Sequence, residues 1–318
     1  MLSKIKKIDT FAKNIIIVFA GTSFANFLNF LFQPLVAHSL SVSEFSAFRS
    51  LISVFTVISA PLVAVQLTLA KYVSEFNARN QIVKIKFLLS DFFKKTFILA
   101  IATFLIFRFA SINIMNALKI PSVSSVYLLA IVLASAWISP VFNGGIQGLE
   151  FFGWWAFVSV LTGIIKLVLA FWFLQLGYNI GGALGALLIS SLMGIFIFYF
   201  PLRQNFSLKT AKEDINYKQI LVYLFPVAIS YFCFFGMVNF DMILVRRFFP
   251  LQYSGFYSLA QLIGNIFLFL PAAISTVMLP RISGLNAKNM DTFSTLKRSL
   301  LYVFSLCILA YLTYNFFR

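Results

Sequence analysis

Lys71-Tyr-Val-Ser-Glu-Phe-Asn-Ala-Arg-Asn80 and Pro280-Arg-Ile-Ser-Gly-Leu-Asn-Ala-Lys-Asn289 are two versions of one segment. Ser74, Asn77, Ala78 and Asn80 return as Ser283, Asn286, Ala287 and Asn289, and Arg79 returns as Lys288. Upstream, Ser46-Ala-Phe-Arg-Ser-Leu51 aligns with Ser254-Gly-Phe-Tyr-Ser-Leu259, so residues 28–80 recur, in weakened form, at 236–289. Each copy carries a long apolar helix pair that ends in a basic loop. A repeat of this length decides architecture before any single residue does: the chain is written twice from one helical unit. The second copy reaches Arg318 with only part of the unit written, so the second lobe is expected to be incomplete.

Composition places this unit in a membrane. The chain is 61% hydrophobic and 11% charged, whereas soluble domains carry roughly 25% charged residues. So little charge cannot cover a soluble surface. A nucleic-acid partner would need a basic patch on a soluble face. Here the net charge of +16 resides mostly in short segments between apolar runs, where it sets orientation and can hold an anionic leaflet. The single histidine, His38, has no companion for a metal site, and Cys233 and Cys307 lie within apolar runs without ligand spacing. No cofactor is expected. The basic start, Met1-Leu-Ser-Lys-Ile-Lys-Lys7, precedes an apolar run too long for a cleaved signal peptide.

A span needs about 20 mainly apolar residues. Nine runs qualify, at 14–37, 46–70, 96–115, 123–143, 152–176, 181–201, 220–245, 253–279 and 299–317. They are apolar all round and lack strand alternation. The fold class is therefore all-α and polytopic, with about nine transmembrane helices in two parallel-repeat lobes. The expected division is a six-helix lobe over 1–201, a cytoplasmic linker over 202–219 and a partial three-helix lobe over 220–318. With the N-terminus inside, segments 1–13, 71–95, 144–151, 202–219 and 280–298 hold 18 of the 25 basic residues, which favours a cytoplasmic N-terminus. Both repeat copies then run in the same direction, related by an axis along the membrane normal, a ground plan of secondary transporters. Pro34, Pro61, Pro226 and Pro271 fall inside spans, where neighbouring helices can satisfy the freed carbonyls. Gly181 and Gly185 form a G-x-x-x-G pair expected to bring two helices close.

Several segments, taken in order, resemble one transporter superfamily. They are Ala37-His-Ser-Leu-Ser-Val-Ser-Glu-Phe-Ser46, Gly145-Ile-Gln-Gly-Leu-Glu-Phe-Phe152 and Leu176-Gly-Tyr-Asn-Ile-Gly-Gly-Ala183 in the first lobe. Asn239-Phe-Asp-Met-Ile-Leu-Val245, Ser254-Gly-Phe-Tyr257 and Leu279-Pro-Arg-Ile-Ser283 follow in the second. In order and spacing the chain resembles the polysaccharide flippases of the multidrug/oligosaccharidyl-lipid/polysaccharide (MOP) superfamily, which include bacterial O-antigen and capsule-unit flippases. The resemblance implies two lobes around a cavity that opens alternately to each side. It also implies a lipid-linked (isoprenoid diphosphate) oligosaccharide as cargo, the bacterial cytoplasmic membrane as location, and polysaccharide-assembly proteins as partners. Two departures stand out. Family members have twelve to fourteen spans, and His38 stands where an arginine is commoner.

Intramembrane polar residues mark the candidate site, because charge there is costly and tends to be functional. Lys166 lies near the middle of its span, in Thr162-Gly-Ile-Ile-Lys-Leu-Val-Leu-Ala170. It is either a cavity cation meeting a phosphate or one half of a buried pair with a carboxylate or with helix-terminal carbonyls. Asp241 is the one carboxylate well inside a span: an ion-coupling site, or a structural partner of Arg246 or Arg49. Arg49, aligned with Tyr257 in the repeat, either lines the cavity or anchors an interface. Asn26, Asn29 and Gln33 share one face of the first span and suit either sugar hydroxyls or interhelical bonds. Asn239, Gln261 and Asn265 are candidates for the facing wall.

Other function classes fit less well. The outer loops contribute only Glu44 as an acid, and no paired carboxylates or nucleophile–base set appears, so no enzyme is expected. A multidrug exporter of the same superfamily is the nearest alternative, and its organic cations suit a positive midplane poorly. A non-transporting fragment or scaffold within an assembly complex is the alternative from another class.

Overall fold

The computed structural model describes residues 2–206, 213, 215–265 and seven positions between 293 and 308, with side chains from residue 17 onward. The order is α1 (Leu2–Ser39), α2 (Val42–Ala78), α3 (Ile82–Ala117), α4 (Val123–Gly148), α5 (Phe152–Gln175), α6 (Asn179–Leu202), a 3₁₀ turn (Arg203–Asn205) and α7 (Tyr217–Phe248). A helix over 251–265, here α8, follows. There is no strand among the described residues. Six helices, α2 to α7, are long and apolar enough to cross a membrane. The fold is all-α and polytopic, as expected. The remainder of the eighth predicted span, nearly all of the ninth, Pro271 and the second copy of the repeat beyond residue 265 lie outside the described residues.

The expected inner loop over 71–95 is corrected. The α2 helix continues to Ala78 and α3 begins at Ile82, which leaves a three-residue turn. A helix of 36 residues such as α3 is about 54 Å long, well beyond a hydrocarbon core of about 30 Å. Lys84, Lys86, Lys94 and Lys95 therefore ride on a helical extension rather than a loop. Asp91 takes Lys95 into a 2.7 Å salt bridge one turn along it. The turn itself uses Asn80 at φ 56°, a left-handed conformation that asparagine tolerates better than most residues. At the opposite end of α2, Ser41 and Glu44 form a capping box, each side chain bonded to the other's backbone N–H.

Helices α2 and α4 form the centre of the bundle. The α4 helix packs on α2, α3 and α6, the α1 helix packs on α5, and α7 runs along α2. Gly144 and Gly148 explain the first contact. A Cβ at Gly144 would sit 2.7 Å from Leu69 Cβ, and one at Gly148 would sit 2.6 Å from Val73 Cβ. The close-approach G-x-x-x-G pair is thus on α4. Gly181 and Gly185, predicted for that role, meet neighbours only at ordinary distances of 3.6 and 3.7 Å. Around the halves of α2–α4 nearest the Asn80 turn, Leu69, Val73, Leu88, Leu89 and Ile146 are fully buried. The rings of Phe93, Phe142 and Phe206 meet beside them. Outward, α3 presents Ile98, Ile101, Leu105, Phe109 and Ile112, all exposed and spaced three or four residues apart. Such a stripe has no place in water and suits lipid contact.

Two compact units are distinguishable, residues 1–257 and 258–318. Helix α7 belongs to the first. Its first residue, Tyr217, donates to Asp91 on α3 over 2.6 Å, and Tyr223 receives the Lys71 ammonium 4.0 Å from its ring centroid. Gln261 and Asn265 lie in the second unit, one turn apart on α8 and half-buried.

Candidate functional site: a polar cavity within the helices

A cavity of about 410 Å³ opens among α1, α2, α4, α5 and α6. Its position depends on the near contact of α1 with α5. A Cβ on Gly21 would lie 2.5 Å from Ala156 Cβ, so the two backbones almost touch. That proximity lets Lys166 on α5 reach α1. Its Nζ donates to Asn29 Oδ1 and lies 4.8 Å from the Phe32 ring centroid, a cation–π contact. Lys166 is only 8% exposed. No carboxylate lines the cavity, and among the described residues Lys166 joins no salt bridge. The expected alternative, a buried pair with a carboxylate, is therefore not the arrangement found among the described residues.

Hydroxyls and amides alternate along the walls with apolar side chains such as Phe32, Phe55 and Phe198. Ser159, Thr162 and Lys166 share one face of α5, opposite Ser139 and Asn143 of α4 and near Ser190 and Ser191 of α6. The Ser159 and Thr162 hydroxyls donate to Trp155 O and Val158 O of their own helix at 2.8 Å each. Ser190 does the same with Leu187 O at 3.0 Å. A hydroxyl committed in this way keeps its lone pairs for an incoming O–H. Asn143 is oriented by Ser139, to which its Nδ2 donates, and by Trp155, whose Nε1 donates to its Oδ1 at 3.1 Å. The cavity thus offers one fixed ammonium among many acceptors.

Of the residues expected on α1, Asn29 and Gln33 line this cavity. Asn26 is exposed and does not. Asn239 spends its amide on Phe235 O of its own helix at 2.9 Å. A second polar group begins at the cavity's edge. Arg49, 4% exposed, donates from Nη1 to Gln33 Oε1 at 3.4 Å, and the Asp241 carboxylate attracts its charge. Asp241 accepts from the Tyr257 hydroxyl at 2.6 Å and from the Met242 N–H at 2.7 Å. Of its two expected partners, Arg49 is the one whose charge it attracts. The donors of Arg246 go elsewhere.

Arg246, expected only as a possible partner of Asp241, stands in the last turn of α7. It is fully buried. The cavity hydroxyls were missed, although Ser159-x-x-Thr162-x-x-x-Lys166 has the spacing of a single helix face and could have disclosed them.

A family model of polysaccharide biosynthesis proteins matches residues 11–286, most of the chain, and the chain belongs to that family. No curated relative matches the sequence. Among solved structures, the chain is similar to an inward-facing multidrug resistance MATE family transporter of the MOP superfamily. The TM-score is 0.71 at 15% identity, covering 91% of this chain and 68% of that one. It is also similar to a MOP superfamily transporter from Pyrococcus furiosus Vc1, with a TM-score of 0.61 at 16% identity over 95% of this chain and 70% of that one. A eukaryotic MATE transporter matches with a TM-score of 0.59 at 14% identity, over 93% and 69% of the two chains. The family is that of the polysaccharide biosynthesis proteins, and the fold is shared with MOP-superfamily transporters.

Proposed function

We propose that this MOP-superfamily transporter carries a lipid-linked oligosaccharide, attached through an isoprenoid diphosphate, across a bacterial cytoplasmic membrane by alternating access. The N-terminus, in this reading, is cytoplasmic, and the six-helix lobe over 1–201 is joined through the linker 202–219 to the lobe that follows. Lys166 carries the reading: a buried ammonium in a cavity lined by amides and hydroxyls, with no carboxylate among the lining residues. Unpartnered by an acid, such a group attracts phosphate oxygens as a point charge. The hydroxyl lone pairs of Ser159, Thr162 and Ser190 suit sugar O–H groups. An organic cation would find here a like charge and nothing to neutralise its own, which is unfavourable in a poorly solvated site.

Transport by this cavity requires that water and the diphosphate–sugar head enter while the isoprenoid stays with the bilayer. The cavity volume of about 410 Å³ lies within the usual range for a small-ligand pocket. The test is competitive binding to purified protein. A fluorescent isoprenyl-diphosphate sugar should bind and be displaced by its unlabelled form, while an organic-cation drug should leave it in place. Preferential binding of the cation, with none of the isoprenyl diphosphate, would reverse the assignment to the exporter reading.

A further inference from the structure

The most completely satisfied ionic group in the described chain lies outside the cavity. Arg246, in the last turn of α7, is 0% exposed. Its Nε donates to Leu118 O at 2.8 Å and its Nη2 to Lys119 O at 2.8 Å, both at the end of α3. Its Nη1 reaches Ser43 O at 3.3 Å, Ser46 Oγ at 3.2 Å and Ser254 Oγ at 3.4 Å. Lys119 answers from the other side, with Nζ donating to Phe249 O just beyond α7 at 3.0 Å. The C-terminal ends of α3 and α7 therefore exchange cations, each set against the carbonyls where the helix dipole favours positive charge.

Between them, Ser46 Oγ donates to Ser254 Oγ over 3.1 Å, and Ser254 Oγ passes its own proton to Leu251 O at 2.8 Å. Ser46 and Ser254 are the same position in the two copies of the repeat, so α2 and the segment after α7 meet at equivalent side chains. Close packing excludes water there. A Cβ on Gly255 would lie 2.4 Å from Val42 Cγ1. The repeat also places His38 where the second copy has Arg246, and His38 is exposed. The guanidinium is thus built into one copy only.

We infer that Arg246 is a latch. With the Ser46–Ser254 contact as its seat, it holds closed the end of the α2–α7 seam at which α2 begins, and its release opens that end in the transport cycle. A guanidinium buried for packing alone would be replaceable by an apolar side chain. One bonded to three backbone carbonyls and to the hydroxyls of both repeat copies releases as a unit, which a two-state closure needs.

The test is accessibility in the full chain with Cys233 and Cys307 replaced. A cysteine at Ser50, one turn beyond Ser46 on α2 and fully buried, reports entry of a membrane-impermeant maleimide along the seam. The reagent is applied from the side on which a Ser122→Cys control reacts. Labelling should be slow with Arg246 intact, about tenfold faster in Arg246→Ala and intermediate in Arg246→Lys, as expected when one state of a two-state equilibrium loses stabilising contacts. Equal labelling in Arg246→Ala and its parent would overturn the proposal. Should Arg246→Ala fail to fold, the variant Ser46→Cys/Ser254→Cys with Arg246 retained takes its place. Its sulfurs would replace oxygens 3.1 Å apart, within reach of a disulfide. Oxidation should block labelling from that side and reduction should restore it. The same labelling rate in both redox states contradicts the latch.

Discussion

Arg49 donates to Gln33 across 3.4 Å, and Tyr257 donates to Asp241 across 2.6 Å. Both pairs span sixteen residues of sequence, and the repeat that carries Ser46 to Ser254 carries Gln33 to Asp241 and Arg49 to Tyr257. One interhelical bond has been written twice, as an amide–guanidinium pair in the first copy and a carboxylate–phenol pair in the second. The substitution has separated the charges onto different copies, so that Asp241 in one attracts Arg49 in the other.

That arrangement makes Tyr257 a partner with a measurable share in stability. Tyr257→Phe should lower the unfolding free energy by about 1–2 kcal/mol, the range for a hydrogen bond to a half-buried charged group between helices. Asp241→Asn should cost a similar amount, and the double variant less than the sum of the two. Denaturant unfolding in detergent measures this. Strict additivity would mean that the two side chains do not act on one another.

Helix packing gives a contrast within one motif type. Gly148→Ala drives a methyl group to 2.6 Å from Val73 Cβ and 2.8 Å from Ala70 O. It should destabilise the protein by about 1–3 kcal/mol, as overpacking does. Gly185→Ala, with its nearest neighbour at 3.7 Å, should change stability little. Melting temperatures of the two variants decide the matter, and equal values would show that α4 and α2 are not held at the described distance.

The difference between those glycines also shows what the sequence discloses. Apolar length and the 28–80/236–289 repeat were enough to give the all-α polytopic fold. Spacing put Asn29 and Gln33 on one face, and charge in the middle of an apolar run singled out Lys166. What spacing does not encode is which face meets which neighbour. Gly181-x-x-x-Gly185 and Gly144-x-x-x-Gly148 are equal as patterns, yet only the second lies against a backbone. Asn26 shares its stripe with Asn29 but falls outside the cavity. The burial of Arg246 was not legible, because the carbonyls and serines that enclose it come from three distant segments. Helix extensions past the bilayer escaped for a related reason: charge marks where the membrane ends and not where the helix does.

Orientation has its own measurement. Asn80 and Ser122 stand at opposite ends of α3, and the basic residues concentrate at the Asn80 end. With the native cysteines replaced, Ser122→Cys should react with an impermeant thiol reagent added to intact cells, and Asn80→Cys should react only after permeabilisation. The reverse pattern would place the N-terminus outside.

Lys166 bears the central claim. An unpartnered ammonium deep in a membrane is costly by at least a few kcal/mol, and the structure gives it Asn29 and Phe32 but no acid. The decisive measurement is movement of a fluorescent isoprenyl-diphosphate oligosaccharide across vesicles containing the protein, compared between wild type, Lys166→Arg and Lys166→Gln. Lys166→Gln should abolish translocation while membrane insertion and melting temperature stay near wild type, and Lys166→Arg should retain part of the activity. Translocation by Lys166→Gln at the wild-type rate would contradict the account.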